Sequence, residues 1–478
     1  MVKMRKNVLI LALVIVGVMI LMILGSGGSV NGESGGGSVV GKVSNTFGSS
    51  LGRDIDGDGD NDSAVILSNI AGDGNDYGNS IAIDGSGRIY VTGSSRNVNG
   101  NDDAYVIRLN KDGSIDSSFG SGGKVILKDI AGVGDDYGNS IAIDGSGKIY
   151  VTGQSGKVYN YNAYVIRLNV DGSIDSGFGI RGKIILSNIV GGGNDYGYSI
   201  VIDRSGKVYV TGSSRNVSGN DDAYVIRLNV DGSMDSSFGI RGKVILKDIA
   251  GNGYWDYGYS LSIDGNEKVY VTGQSGNDAY VIRLNKDGSM DSGFGSNLGR
   301  DINGDGNTND YGVILNNIAG GGNDIGKSIA IDGSGKVYVT GDSYNGSNSD
   351  AYVIRLNEDG SMDGSFGSGG KVILSSIAGG NGVDYGSSVA IDGNGKVYVT
   401  GFSSNGSNDD AFVIRLNSDG SVDSGFGSGG KVVLHNITGG NGRDICNSMV
   451  IDVNGKVYIT GYSDNISSNA DAYVIKIE

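Results

Sequence analysis

One string recurs seven times. The pattern [IV]-Y-[VI]-T-G ends at Gly93, Gly153, Gly212, Gly273, Gly341, Gly401 and Gly461, at intervals of 60, 59, 61, 68, 60 and 60 residues. Self-similarity at a fixed period decides the architecture before local propensity does. Each copy holds four short runs rich in Val, Ile and Tyr, bounded by Gly, Asp, Asn or Ser. In the first copy these are Ser80–Asp84, Arg88–Gly93, Ala104–Asn110 and Lys124–Ile130, called strands a to d. Seven four-stranded units predict an all-β, seven-bladed β-propeller with antiparallel blades. The final copy stops after strand c, at Ala472–Ile477, whereas a spare strand d stands near the start, at Ala64–Ile70. The N-terminal strand is therefore expected to complete the seventh blade and close the ring, removing open sheet edges. A linear solenoid, the alternative, leaves that strand without a use.

Composition fits this reading and excludes other chemistries. The 478 residues include 89 Gly and no Pro, with one Cys and one His. Gly supplies left-handed turn conformations at little steric cost. Only Glu33, Glu267, Glu358 and Glu478 are glutamates, so the net charge of −16 is almost all Asp. A chain this acidic lacks the basic stripe that nucleic acid requires. His435 alone cannot build a histidine triad or a histidine metal cluster. Cys446 alone cannot form an intrachain disulfide and is expected to be a buried thiol. His435 is expected to be exposed and inert.

The N-terminus reads as a membrane signal. Lys3, Arg5 and Lys6 precede an apolar run from Val8 to Leu24. That run is at the lower limit for a spanning helix and long for a secretory signal. Residues 1–24 are thus an uncleaved anchor or a cleaved signal peptide, and the remainder is expected outside the cytoplasm. Residues 25–39 read as a Gly/Ser tether and residues 40–478 as the propeller. The expected location is extracellular or at the cell surface.

The string GxDYGxSxAIDxxGxVYVTG resembles bacterial seven-bladed propeller repeats of the SBBP type. AYVIRLNxDGSxDSxFGxGGKV is similar to delta-60 repeats, also assigned to propellers. Together they span about residues 40–478. The resemblance implies a secreted or surface protein and names no ligand.

Two inserts interrupt the c–d connections. From the Phe of SFG to the first Val of strand d is 6 residues in repeat 1 (Phe119 to Val125), but 19 from Phe294 to Val313 and 18 from Phe47 to Val65. The inserts read DIDGDGDND (54–62) and DINGDGNTND (301–310). Alternating Asp and Asn gather side-chain oxygens around one point, as a flexible Ca²⁺ loop requires. The spacing fits Asp54, Asp56, Asp58 and Asp62, and Asp301, Asn303, Asp305 and Asn309. Asp60 and Asn307 would lend backbone carbonyls. No Glu holds the twelfth position, so this is not an EF-hand. The inserts look like the DxDGDGxxD loops of integrin-type propellers and thrombospondin repeats. The bland alternative is a solvated acidic loop. Sites of this kind would have affinities around 10⁻⁴–10⁻³ M. Both inserts are expected on one face of the ring.

Features found in every repeat read as structural, and a binding site is expected where repeats differ. Asp76 and its counterparts before strand a are expected to bond turn amides rather than to line a cation funnel. Tyr105 and its counterparts are expected in the core, and Arg108 and its counterparts solvated or paired. The b–c and d–a loops diverge most. The b–c loop of repeat 4 is short (274–278), and beside it stand Tyr254 and Trp255, the only Trp. Tyr198 stands just after the preceding d–a loop, and Tyr159 and Tyr161 lie in the b–c loop of repeat 2. These aromatics could form a shallow stacking platform for a sugar or an extended chain. Nothing resembles a nucleophile elbow, a P-loop or a paired carboxylate dyad, so the chain reads as a non-enzyme. It is expected to be a calcium-stabilised interaction or adhesion module for a surface polymer or protein, with carbohydrate one candidate. A structural envelope role and a carbohydrate-active hydrolase or lyase are the alternatives.

Overall fold

The computed structural model describes residues 41–478 apart from 158, 159 and 252. The expected membrane segment at residues 8–24, the tether and Tyr159 lie outside the described residues. The remainder forms seven antiparallel sheets, each ordered a-b-c-d, two of them with a two-residue fifth strand outside d (Ser49–Ser50 and Ser296–Asn297), and with no helix among the described residues. In blade 1 strand a is Asp76–Ile83, b is Ile89–Arg96, c is Asp102–Leu109 and d is Lys124–Leu127. Strand a begins four residues earlier than its apolar run because Asp76–Gly78 also pairs with strand b, across a bulge between Gly78 and Ser80. Strand d ends three residues early, since Ile130 is buried within the turn that follows.

The seven strands a surround one axis, each touching the next. They are stitched from blade to blade: Ile141 N donates to Ser80 Oγ, Ile200 N to Ser140 Oγ and Leu261 N to Ser199 Oγ. The invariant Gly of the VTG string follows from close approach. A Cβ on Gly93 would stand 1.7 Å from the Tyr77 carbonyl oxygen.

The ring closes as expected. Ser63–Leu67 pairs with the C-terminal strand, Val65 opposite Val474 and Leu67 opposite Ala472. Val43 bridges Ile477, and Gly41 and Glu478 are also hydrogen-bonded. Phe47 is buried against Tyr458.

The repeated polar residues are structural. Asp76 accepts from Asn69 N at 2.8 Å and Ile70 N at 3.3 Å. Asn69 has φ 55°, and its counterparts in all seven repeats are also left-handed. The acid therefore satisfies amides that a left-handed turn exposes. Arg108 is buried, paired with Asp116 at 2.8 Å, and its guanidinium lies 4.7 Å from the Phe119 ring centre. It also donates to Val170 O of the next blade. Tyr105 is fully buried and donates to Tyr77 O at 2.9 Å. Cys446 is a buried free thiol, pushed up to about 12 by burial.

Candidate functional site

Three places depart from sevenfold repetition. The first is the pair of inserts. In five blades a Lys at the start of strand d reaches back to the preceding blade: Lys124 donates to Ile70 O, Lys183 to Ile130 O, Lys243 to Ile189 O, Lys371 to Ile318 O and Lys431 to Ile377 O. Blades 4 and 7 lack that Lys. There Arg300 donates to Ile249 O at 2.8 Å, and Arg53 donates to Ile437 O. Each insert also lays a backbone carbonyl against the preceding blade: Lys247 N donates to Ile302 O and His435 N to Ile55 O, both at 3.1 Å. Ile55 and Ile302 are fully buried.

The inserts thus sit on the outer seam between blades, against the segment leaving strand d, rather than standing free on one face. His435 is half-buried against the first insert, not exposed. Both inserts share the string Leu-Gly-Arg-Asp-Ile (51–55 and 298–302). That string was legible in the sequence and marks the latching Arg and the buried Ile.

Within the first insert, carboxylate oxygens of Asp54, Asp56 and Asp58 lie within 4.8 Å of one another. Asp54 accepts from Gly57 N at 2.6 Å and Gly59 N at 2.8 Å, which curls the loop around it. Asp62 is buried and accepts from Ile55 N at 2.7 Å. Burial, with the nearby Asp56, Asp58 and Asp54 charges, pushes its carboxyl up to about 6. The Asp60 side chain turns to Lys42 at 3.4 Å.

In the second insert Asp301 accepts from Gly306 N at 3.1 Å through Oδ2, while its Oδ1 is buried with no hydrogen-bond partner. Asn303 Oδ1 accepts from Asp305 N, Asp305 Oδ1 from Asn307 N and Asn307 Oδ1 from Asn309 N. One assignment needs correction. Asp310, not Asn309, is the counterpart of Asp62: it is buried and accepts from Ile302 N at 2.6 Å. Asn309 instead receives a bond from Asn297. The second loop is one residue longer, so counting back from strand d, rather than forward from Asp301, aligns the two acids. The gathered carboxylates, and the unpartnered Asp301 oxygen, fit a hard oxygen-seeking cation.

The second departure is the loop face at blades 3 and 4. Tyr254 and Trp255 are 61% and 54% exposed. The short b–c loop lies beside them: Gly276 N donates to Trp255 O at 3.0 Å, and the Tyr254 ring stands against Gly276. A side chain at Gly276, where φ is 56°, would press on that ring. Asn220 Nδ2 ties the neighbouring b–c loop to Gly253 O at 2.7 Å. Val217, 92% exposed, sits on that neighbouring loop.

The third departure lies deeper. Tyr198 and Tyr161 are half-buried, not exposed on the loops as the sequence suggested. They belong to a ribbon of rings around the inner strands, Tyr137–Tyr161–Tyr196–Tyr198–Tyr259–Tyr257, with successive centres 5.5–6.2 Å apart. Tyr196 stacks on Tyr198 at 5° and Tyr257 on Tyr259 at 8°. The ribbon therefore does not join Tyr254 and Trp255 into one patch with Tyr198 and Tyr161 through any ring contact among the described residues.

Comparison with known proteins places the architecture. Six segments (85–119, 145–178, 204–238, 266–294, 333–366 and 393–426) match the domain of unknown function DUF5122, a β-propeller, and residues 69–100 match the β-propeller repeat SBBP. The resemblance to propeller repeats thus rests on matched segments in six of the seven copies, plus the SBBP match in the first. Among curated proteins nothing matches.

Similar solved structures include the polysaccharide lyase Uly1, at 10% identity, TM-score 0.46, covering 92% of this chain and 98% of that one. An ulvan lyase bound to -[GlcA(1-4)Rha3S]- is 12% identical, TM-score 0.43, covering 86% and 95%. Sqt1 of Chaetomium thermophilum, bound to the N-terminus of ribosomal protein L10, is 10% identical, TM-score 0.38, covering 81% and 93%. These likenesses speak to fold alone. The reading of the chain as a non-enzyme is corrected: it rested on the absence of familiar motifs alone, solved structures similar in fold include polysaccharide lyases, and fold does not decide function either way.

Proposed function

We propose that this propeller is an exported binding module, presented at the cell surface, whose loop face at blades 3 and 4 engages a polymer or protein partner. The observation that carries the reading is the exposed Tyr254–Trp255 pair, seated on the one b–c loop that is cut short. Large aromatics left in water at a divergent loop are the kind of anchor that binding surfaces use. Export rests on the basic residues and apolar run at the N-terminus, and carbohydrate is one candidate partner. The two inserts serve this module as structural Ca²⁺ loops, with Asp54, Asp56, Asp58 and Asp62 in one, and Asp301, Asn303, Asp305 and Asp310 in the other. At ten times its dissociation constant, a bound ion stabilises the fold by about 1.4 kcal/mol per site.

The test is a binding screen of residues 40–478 against glycans and envelope polymers, in calcium and in EDTA, with Trp255→Ala alongside. Binding that falls at least tenfold in Trp255→Ala supports the reading. A bound partner that ignores Trp255→Ala moves the site elsewhere, and silence throughout sinks the proposal.

A further inference from the structure

The inner strands of the blades share one position, at the bulge between Gly and Ser, where neighbouring blades meet around the axis. Blades 7, 1 and 2 place Asn there. Asn447 donates to Gly78 O at 2.9 Å, Asn79 to Gly138 O at 3.1 Å and Asn139 to Gly197 O at 2.9 Å. Each therefore ties one blade to the next.

Blades 3, 4 and 5 break that pattern with Tyr198, Tyr259 and Lys327. Their side chains meet each other instead. The Tyr198 and Tyr259 rings are 5.5 Å apart, and Lys327 Nζ lies 3.9 Å from the Tyr259 ring centre. All three keep part of their surface open. On the adjoining strand of blade 5 stands Asp342, opposite Ile325 in the ladder, where blades 1 and 3 carry Ser94 and Ser213.

Asp342 is 4% exposed and takes no hydrogen bond or ion pair from any described residue. Lys327 has no carboxylate within 4.0 Å among the described residues and is steadied only by the Tyr259 ring. Burial pushes the Asp342 carboxyl up to about 6, with Lys327 opposing the shift. Burial also lowers the Lys327 ammonium, with Asp342 opposing. The two charges thus feel each other across a gap that neither closes. The Asp342 oxygens are not among the sealed polar atoms left without a partner, so the carboxylate stays reachable by a ligand although the residue is largely buried, and burial still disfavours its charge.

We propose that Tyr198, Tyr259, Lys327 and Asp342 form a binding site, at the axis between blades 3 and 5, for a neutral pyranose ring. A sugar hydroxyl both donates and accepts, so one such group satisfies the Asp342 carboxylate and the Lys327 ammonium together. Tyr196 and Tyr257 stack on Tyr198 and Tyr259, so a pyranose would rest its C–H surface on the parts of these two rings that stay accessible. The two protein charges cancel, so a neutral ligand leaves no charge unpaired. An anionic sugar would meet Asp342 within a chain of net charge −16. A small zwitterion would pair both charges and leave the rings bare. This site is separate from the exposed Tyr254–Trp255 pair and does not depend on it.

The test uses saturation-transfer NMR on the full ring with methyl α-glucopyranoside, methyl α-mannopyranoside and methyl β-galactopyranoside. A methyl glucuronoside and glycine serve as charged comparisons. The decisive variant is Lys327→Asn with Asp342→Ser, which gives blade 5 the residues that blade 1 uses at both places. The expected result is transfer to at least one neutral glycoside, at least tenfold weaker in the double variant and unchanged in Trp255→Ala. If the double variant does not fold, Asp342→Asn, which keeps the side-chain shape, is read in its place against the same tenfold loss. The proposal is overturned by transfer to none of the three, by transfer only to the glucuronoside or glycine, or by equal transfer to the folded variant. Loss in Trp255→Ala alone would assign the sugar to the loop face and also overturn it.

Discussion

Seven seams join the blades, and two kinds of fastening close them. In five, a flexible Lys at the start of strand d reaches the Ile carbonyl where the preceding blade's strand d ends. In the other two, Arg300 and Arg53 make that contact from an inserted acidic loop, and the loop adds a buried Ile and a backbone bond. Every seam also carries the buried Asp that caps the same turn. The task is therefore constant, and only the means of doing it changes. A Lys brings one ammonium on a mobile stem, whereas an Arg planted in a loop loses less freedom on binding, the more so if the proposed calcium holds that loop. The two kinds of seam are thus expected to respond alike to protons and differently to calcium.

Acidity gives the largest expected effect, and it acts on both kinds of seam. Burial raises the capping acids Asp76, Asp136 and Asp444 to about 6, and Asp256 to about 7. An acid raised in the folded state binds its proton more tightly there than in the unfolded chain. Its folded state therefore gains stability as pH falls from 7 toward 5, on the order of 1 kcal/mol for each acid. Acids held low by Arg and Lys, such as Asp235 and Asp363, keep their contribution throughout this window, because they lose it only below the ordinary carboxylate range. Melting in EDTA should consequently be higher at pH 5 than at pH 7. A lower melting temperature at pH 5 would refute the assignment.

Calcium should separate the seams. Asp58→Ala combined with Asp305→Ala is expected to remove roughly 3 kcal/mol of stability in calcium, two sites at ten times their dissociation constants, and little in EDTA. Equal loss in both buffers would mean that the loops are acidic struts with no ion to hold. The smallest effect concerns the latches. Arg300→Ala and Lys243→Ala should each cost about 1–2 kcal/mol through one lost charged hydrogen bond to a carbonyl. Of the two, Arg300→Ala alone should cost more in calcium than in EDTA. Identical calcium dependence for both would merge the two classes of seam into one.

Much of this was legible in the residues. The seven VTG strings, the orphan strand near the start and the truncated final repeat were enough to define the ring and its closure. The caps at Asp76 and its counterparts followed from their recurrence. What escaped did so for identifiable reasons. Asp310 was hidden by an extra residue in the second insert, which shifts a forward count onto Asn309. Tyr198 and Tyr161 looked like loop aromatics because sequence distance from a loop does not say which way a strand residue turns its side chain. Lys327 and Asp342 gave no such signal because their departure from the repeat lies inside two regular strands and not in a loop. At the first position the other blades carry Asn, Ser or Tyr, and at the second Ser, Gln, Phe or Tyr, so only blade 5 places a charge at either.

The clasp of the seventh blade sets the order in which the molecule can be finished. Ser44 Oγ meets Glu478 across 434 residues of chain, and strand Ser63–Leu67 has no sheet to join until Ala470–Ile477 exists. Contacts this distant in sequence are slow to form and leave sheet edges bare until they do. Strand Ser63–Leu67 waits for a partner about 400 residues further along the chain, so until Ala470–Ile477 is made six sheets stand paired and the seventh lies open. Closure of the ring is a late event in the synthesis of this architecture.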